Sequence, residues 1–409
     1  MTSSAERVAA PERGHPGQVP AAPVWLPALD VLRAFAAGAV VLHHSYSLAG
    51  YPAIPFAWLL EGFGEWGVDL FFVLSGFLLS AYWWKPAGKR PLRVFAIRRF
   101  FRIAPAYYVM LLILFTFFAN HDQLFSRIGV RQVLANLTFT QWLTPGTASN
   151  LNVNGVLWTL TLEAMLYALI PLLALAVGRK PVVAGISLFA AGMIYRVWAG
   201  VEDSSLVAWY FPESGGPGPQ IEHLFAVRQF AGILPVFMIG ILLRWMTLRG
   251  GLRHWITKPV SRPSALMVVL MLVPSMIVLR WVAEGSNYSN LIWFVAYDAV
   301  LAVMFVPVLL YAARPVVGHV SPLFRAGQWL GTRSYSLYVW HFPIVLSVYG
   351  MGALERGPIT THWPVRLCLI AVLAVLAAHV SYELVEKPGM TLGARLARGR
   401  RPSANKAAD

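Results

Sequence analysis

The sequence predicts an all-α integral membrane protein, a bundle of about ten transmembrane helices with both termini cytoplasmic. Three observations predict it. The first is composition. Of 409 residues, 57% are hydrophobic and 12% charged, whereas a water-soluble domain carries about 25% charge. The second is that the apolar residues come in runs near twenty, the length needed to cross roughly 30 Å of hydrocarbon. With no water there to satisfy backbone groups, such runs must be helices. The third is the placement of the 33 lysines and arginines, which crowd into alternate connecting segments.

Taken in order, the runs place spans near 29–49, 66–83, 104–119, 156–176, 180–199, 224–246, 264–283, 289–312, 334–352 and 363–386. The loop after the second span holds Lys85, Lys89, Arg90, Arg93, Arg98, Arg99 and Arg102. Further basic groups follow the fourth, sixth and eighth spans and fill the C-terminal tail. Alternate segments divide 25 to 7, with Arg33 inside the first span. Basic residues mark cytoplasmic loops, so the split orients the bundle and puts both ends in the cytoplasm. The net charge of +15 then reads as topology signal and affinity for an anionic lipid bilayer, not as nucleic-acid binding. Residues 1–24 read as a disordered cytoplasmic tail without the apolar core of a signal peptide. Residues 25–388 form the transmembrane domain and 389–409 a basic cytoplasmic tail. Cys368 is the single cysteine, so neither a disulfide framework nor a thiolate metal site is expected. Spans 1–5 and 6–10 share no internal repeat.

Ionisable groups at membrane depth cost at least about 2–3 kcal/mol on insertion scales and therefore mark function. In the first span Arg33 and His44 are eleven residues apart. At about 100° per residue they fall within about 20° of one another around the helix and roughly 16 Å apart along it. Asp30 lies near the same face, and His43 points elsewhere. Asp69 is placed at the external start of the second span, where a carboxylate suits the positive helix end, and Ser75 and Gly76 serve close packing. Ahead of the third span, Arg99 and Arg102 stand one turn apart within Arg98-Arg99-Phe100-Phe101-Arg102. Such forked donors suit a phosphate. The fourth span opens with Trp158 at the interface. Its Glu163 and Tyr167 share a face, and Glu163 is a candidate partner for His44. His341, two residues before Pro343 in the ninth span, reads as a structural or pocket-lining imidazole, and Tyr335 lies on the same helix. His379 is a weaker candidate. The chain has no GxSxG, P-loop, HExxH or cysteine pair, which leaves serine nucleophiles and zinc hydrolysis unsupported.

Together the Leu29-Asp30-Val31-Leu32-Arg33 run with His44, GVDLFFVLSGF at 67–77, RRxxRIxPxY at 98–107, WTLTLE at 158–163, GTRSYSLYVWHFP at 331–343 and Glu386-Lys387-Pro388 resemble the bacterial acyltransferase 3 family. The resemblance covers roughly 29–388 in order. It implies a multi-pass protein of the bacterial cytoplasmic (inner) membrane. The implied activity is transfer of an acyl group, often acetyl, from acyl-CoA as co-substrate to a hydroxyl of a carbohydrate or small-molecule glycoside, with no metal. It makes the Arg33–His44 pair essential, maps the family's RxxR onto Arg99 and Arg102, and maps its glutamate onto Glu163. Thr159 and Ala164 depart mildly from the pattern. The chain corresponds to the stand-alone form, without the extracytoplasmic SGNH domain many members carry.

On this reading His44 is the general base, with Arg33 and Glu163 beside it in the catalytic set. Arg99, Arg102 and Arg98 hold the coenzyme, and Asp30, Tyr167, Trp158, His341 and Tyr335 line the pocket. The competing readings are a transporter, in which the intramembrane His, Glu and Arg groups form a proton or substrate path, and a non-catalytic scaffold or acyl channel. Oligomeric state is not readable from the sequence.

Overall fold

The computed structural model describes residues 26–55, 57–84, 91–119, 121–148, 155–201, 219–261, 291–350 and 362–398, with isolated positions between 263 and 276. The described chain is almost wholly helical. The long helices are α1 (Pro27–Ser47), α2 (Ala57–Trp84), α3 (Leu92–Phe117), α4 (Trp158–Arg179), α5 (Pro181–Gly200), α6 (Phe230–Leu248), α7 (Leu291–Met304), α8 (Val306–Ala312), α9 (Pro322–Thr332), α10 (Ser334–Tyr349), α11 (Trp363–Ser381) and α12 (Lys387–Arg398). A π-helical turn, Tyr382–Glu386, joins the last two. The strand residues Val260–Ser261 and Val316–Val317 pair in parallel.

The membrane class is as the sequence predicts. Among the described residues, seven helices are long and apolar enough to cross a bilayer. The described residues alone do not confirm the expected count of ten. α10 has only 16 residues, α1 carries Asp30, Arg33, His43 and His44, and the span expected at 264–283 lies mostly outside the described residues, as do 1–24. Two boundaries move in ways that matter for the site. α2 begins at Ala57, so Asp69 sits about three turns inside a helix and not at its dipolar end. α3 begins at Leu92, which puts Arg99 and Arg102 on a helix where a loop was expected. The segment set off as a tail from residue 389 starts as part of α12, which packs along α3.

α1, α2 and α6 form the centre. Lipid tails are as apolar as leucine, so helices in a bilayer associate through close packing and small residues. At the α2–α6 crossing a Cβ on Gly240 would fall on the Val73 carbonyl, and one on Gly76 would fall on that of Phe237. The two backbones can approach this closely only because both residues are glycine. Leu32, Leu70, Phe77 and Phe237 fill the core around the crossing. On the other side of α2, a Cβ on Gly67 would fall on the Ala36 carbonyl of α1, and this second close approach fixes which α2 side chains stand beside α1.

Candidate active site

Two cavities open along the α1–α2 seam, and the predicted residues divide between them. The first is lined by Arg33, Arg99, Arg102, Glu163, Tyr167 and Tyr335 among others. The second, the wider of the two, is lined by His43, His44, Glu61, Glu65, Asp69, Trp158, Arg228 and Asp298 among others. Val68 and Tyr338 border both. Tyr338 is held across this septum. Its hydroxyl donates to the Val156 carbonyl at 2.9 Å and meets the Thr159 hydroxyl at 2.8 Å.

His44 is fixed by its ring nitrogens. Its Nδ1 lies 2.9 Å from the Val40 carbonyl, which can only accept, so Nδ1 carries the proton. His341, fully buried on α10, places Nδ1 2.6 Å from the Tyr338 carbonyl and Nε2 3.3 Å from His44 Nδ1. By the same reasoning His341 donates through Nδ1 and accepts through Nε2. His341 is thus neutral, and Nε2 is the ring nitrogen of His44 that neither Val40 nor His341 engages, on a side chain that lines the second cavity. Second-sphere hydrogen bonds set a histidine's tautomer in this way. His43 lines the same cavity, its Nδ1 3.1 Å from the Leu60 carbonyl, although the wheel turned it away. A cavity this wide accommodates two adjacent side chains.

Glu163 is not the partner of His44. Its Oε1 accepts from the Tyr167 hydroxyl at 2.5 Å, one turn on, and it faces the arginine cavity on the far side of Tyr338. The pairing of Glu163 with Tyr167 is as expected; the orienting group of His44 is His341. The arginines also differ in role. Arg33 bonds Asp30 at 3.3 Å and keeps about a third of its side chain exposed. Asp30 thereby tethers Arg33 instead of lining the cavity. Arg102 is ion-paired with Glu386, whose other oxygen accepts from Ser336 at 2.7 Å, and a further Arg102 N–H contacts Met390 Sδ at 3.4 Å. Arg99 lines the cavity with a buried Nε that has no partner among the described residues, and its guanidinium lies 5.8 Å from the Phe95 ring centre. Arg98 is exposed and outside the cavity, because neighbours on a helix point about 100° apart. Tyr335 donates to the Ile103 carbonyl at 2.9 Å, bracing α10 against α3. His379 accepts from Arg333 Nε at 3.1 Å, far from both cavities in role.

Residues 26–383 match the family described as acyltransferase domain. The chain belongs to that family. Three similar relatives are the peptidoglycan O-acetyltransferase OatA of Listeria monocytogenes (24% identical over 382 residues), the putative peptidoglycan O-acetyltransferase YrhL of Bacillus subtilis (26% over 391) and the O-acetyltransferase OatA of Staphylococcus aureus (26% over 393). These alignments cover 89%, 91% and 90% of this chain but 56%, 56% and 57% of the relatives, so it spans little more than half their length. No solved structure matches it. Within this acyltransferase-family bundle, sequence reasoning missed Glu65, Arg228, Asp298 and Glu386 as site neighbours. Each is a charged group inside or beside an apolar run, and that signal alone could have flagged them.

Proposed function

We propose that this chain is a membrane O-acyltransferase that moves an acyl group, with acetyl the simplest case, from acyl-CoA to a hydroxyl of a carbohydrate acceptor. The observation that carries the reading is the seam itself. A guanidinium-lined cavity and an imidazole-lined cavity adjoin at Tyr338, and the neutral form of that imidazole carries a lone pair on Nε2. The arginine cavity sits beside the basic end of α3, the side that loop charge marks as cytoplasmic. Arg99, with its unpartnered Nε, and Arg33 would bind the coenzyme phosphates through charge-assisted bonds. The narrow pantetheine arm would then reach past Tyr338, bringing the thioester to His44.

There His44 Nε2 takes the proton of the acceptor hydroxyl as its oxygen attacks the thioester carbonyl. The tetrahedral intermediate collapses with cleavage of the C–S bond, and the imidazolium returns the proton to the departing thiolate. The products are the ester and free CoA–SH. A neutral imidazole near pH 7 suits both steps. The Val40 carbonyl keeps His44 in the required tautomer, and His341 adds a second, longer contact to the same nitrogen. The names of the relatives support peptidoglycan as the acceptor class, and the inner membrane of a bacterium is the matching location.

The test is transfer by purified protein from labelled acetyl-CoA to soluble peptidoglycan fragments. Label on glycan with wild type, and its loss in His44→Ala, is the expected result. Transfer that survives His44→Ala would overturn the mechanism. Movement of glycan or proton across vesicles without CoA release would point to a transporter instead.

A further inference from the structure

The mechanism above leaves one buried group unused. Asp69 is 3% exposed on the second cavity, and its Oδ2 has no hydrogen-bond partner among the described residues. An orphaned carboxyl at membrane depth is costly, and Asp69 stands about three turns inside α2, away from that helix's own dipolar end. Two guanidiniums, Arg228 and Arg196, stand near enough to act on its charge, and each holds other partners. Arg228 bonds Glu65 at 2.8 Å and lies 5.1 Å over the Trp158 ring, while Arg196 pairs with Asp298 at 2.6 Å and also donates to the Val295 and Gly232 carbonyls. Asp69 thus lines the cavity with a carboxyl whose Oδ2 is buried and unpartnered, and a hydroxyl settling against the carboxyl would satisfy it.

We propose that Asp69 is the anchor of a carbohydrate subsite, accepting a hydrogen bond from a hydroxyl of the acyl acceptor in the cavity that His44 also lines. The chemistry of the walls selects this ligand class. Glu61, Glu65, Asp69 and Asp298 offer carboxyl oxygens, which hydroxyls satisfy by donating and which repel an anion. Trp158 offers a flat apolar face for the C–H side of a sugar ring. A divalent cation fits poorly, since among the described residues no three His, Cys, Asp or Glu side chains stand close enough to hold a metal ion. The wall acidity separates the two cavities by sign: phosphate on the arginine side, neutral polyol on the carboxyl side. The inference rests on the transferase reading for the identity of the ligand, and names the group that holds it.

The experiment is calorimetric titration of the full chain in detergent with the neutral, soluble disaccharide of N-acetylglucosamine, and separately with acetyl-CoA. Asp69→Asn, which keeps the shape, should weaken the disaccharide at least about tenfold, the size of a charge-assisted bond. Asp69→Leu should abolish it. Acetyl-CoA affinity should stay unchanged in both, and thermal stability should hold or rise because the orphaned carboxyl is gone. Equal disaccharide affinity in wild type and Asp69→Asn, or no binding by wild type, would overturn the subsite. So would parallel loss of acetyl-CoA binding, which would mark Asp69 as structural. A far tighter fit of glucosamine than of the acetylated disaccharide would replace it with an ammonium site. The two readings fail separately. Disaccharide binding that depends on Asp69 without any acetyl transfer sinks only the transferase. Transfer with an unchanged acceptor KM in Asp69→Asn sinks only the subsite.

Discussion

Replacing His341 by leucine tests how His44 is activated. His341 lines neither cavity and reaches His44 through one hydrogen bond, its Nε2 at 3.3 Å from His44 Nδ1. That is longer than the 2.9–3.0 Å typical of N–H hydrogen bonds. The same proton also serves the Val40 carbonyl at 2.9 Å, so the shorter bond still fixes the tautomer when His341 is gone. One neutral hydrogen bond contributes about 1 kcal/mol, and a shared, longer one contributes no more. At about 1.4 kcal/mol per tenfold, His341→Leu should lower kcat about fivefold and leave KM for acetyl-CoA unchanged. Removing a general base costs about 10²–10⁴, the range expected for His44→Ala. Leucine fills nearly the volume of imidazole, so little cavity strain confuses the comparison. Steady-state kinetics of acetyl transfer decides the matter. If His341→Leu falls as far as His44→Ala, the assignment is reversed or the pair works as one unit, and the positioning argument fails.

Other outcomes follow from the same geometry. Arg99→Ala should weaken acetyl-CoA binding about 10–100-fold by calorimetry, from the loss of one charge-assisted contact, while Arg98→Ala should leave it unchanged; similar losses in both would refute the separation of the two arginines. Glu386→Ala strands Arg102, and breaking such a pair costs about 3–5 kcal/mol, here towards the lower end because Arg102 retains some exposure; thermal unfolding in detergent should show the drop, and an unchanged midpoint would argue against the pair. Gly240→Val forces a side chain into the Val73 backbone and should destabilise the α2–α6 crossing by at least about 1–3 kcal/mol, read as a lowered midpoint or loss of folded protein.

Much of this was legible in the sequence. Charge depletion and runs near twenty give the membrane class directly, because the bilayer restricts the spanning chain to helices. Local spacing was also reliable: Glu163 and Tyr167 meet at i, i+4, and Arg99 and Arg102 share a face at i, i+3. The failures are long-range. No periodicity could bring His341 to His44 across 297 positions, or take Arg102 to Glu386. The apolar run starts the second span near residue 66, whereas the helix starts at Ala57, and that difference turns Asp69 from a helix-end carboxylate into a buried one.

The sequence by itself determined that the chain folds in lipid, which end of the α1 stripe is basic and which residue types are available for chemistry. Those properties depend on composition and on contacts within one helical turn. The tertiary structure alone decided that Arg33 and His44 open on different cavities, that Tyr338 stands between them, and that His44 is oriented by an imidazole and not by Glu163. Such facts depend on how α1, α2 and α10 are packed. That packing is set by volumes meeting between distant segments, down to two glycines whose missing Cβ atoms let α2 and α6 touch.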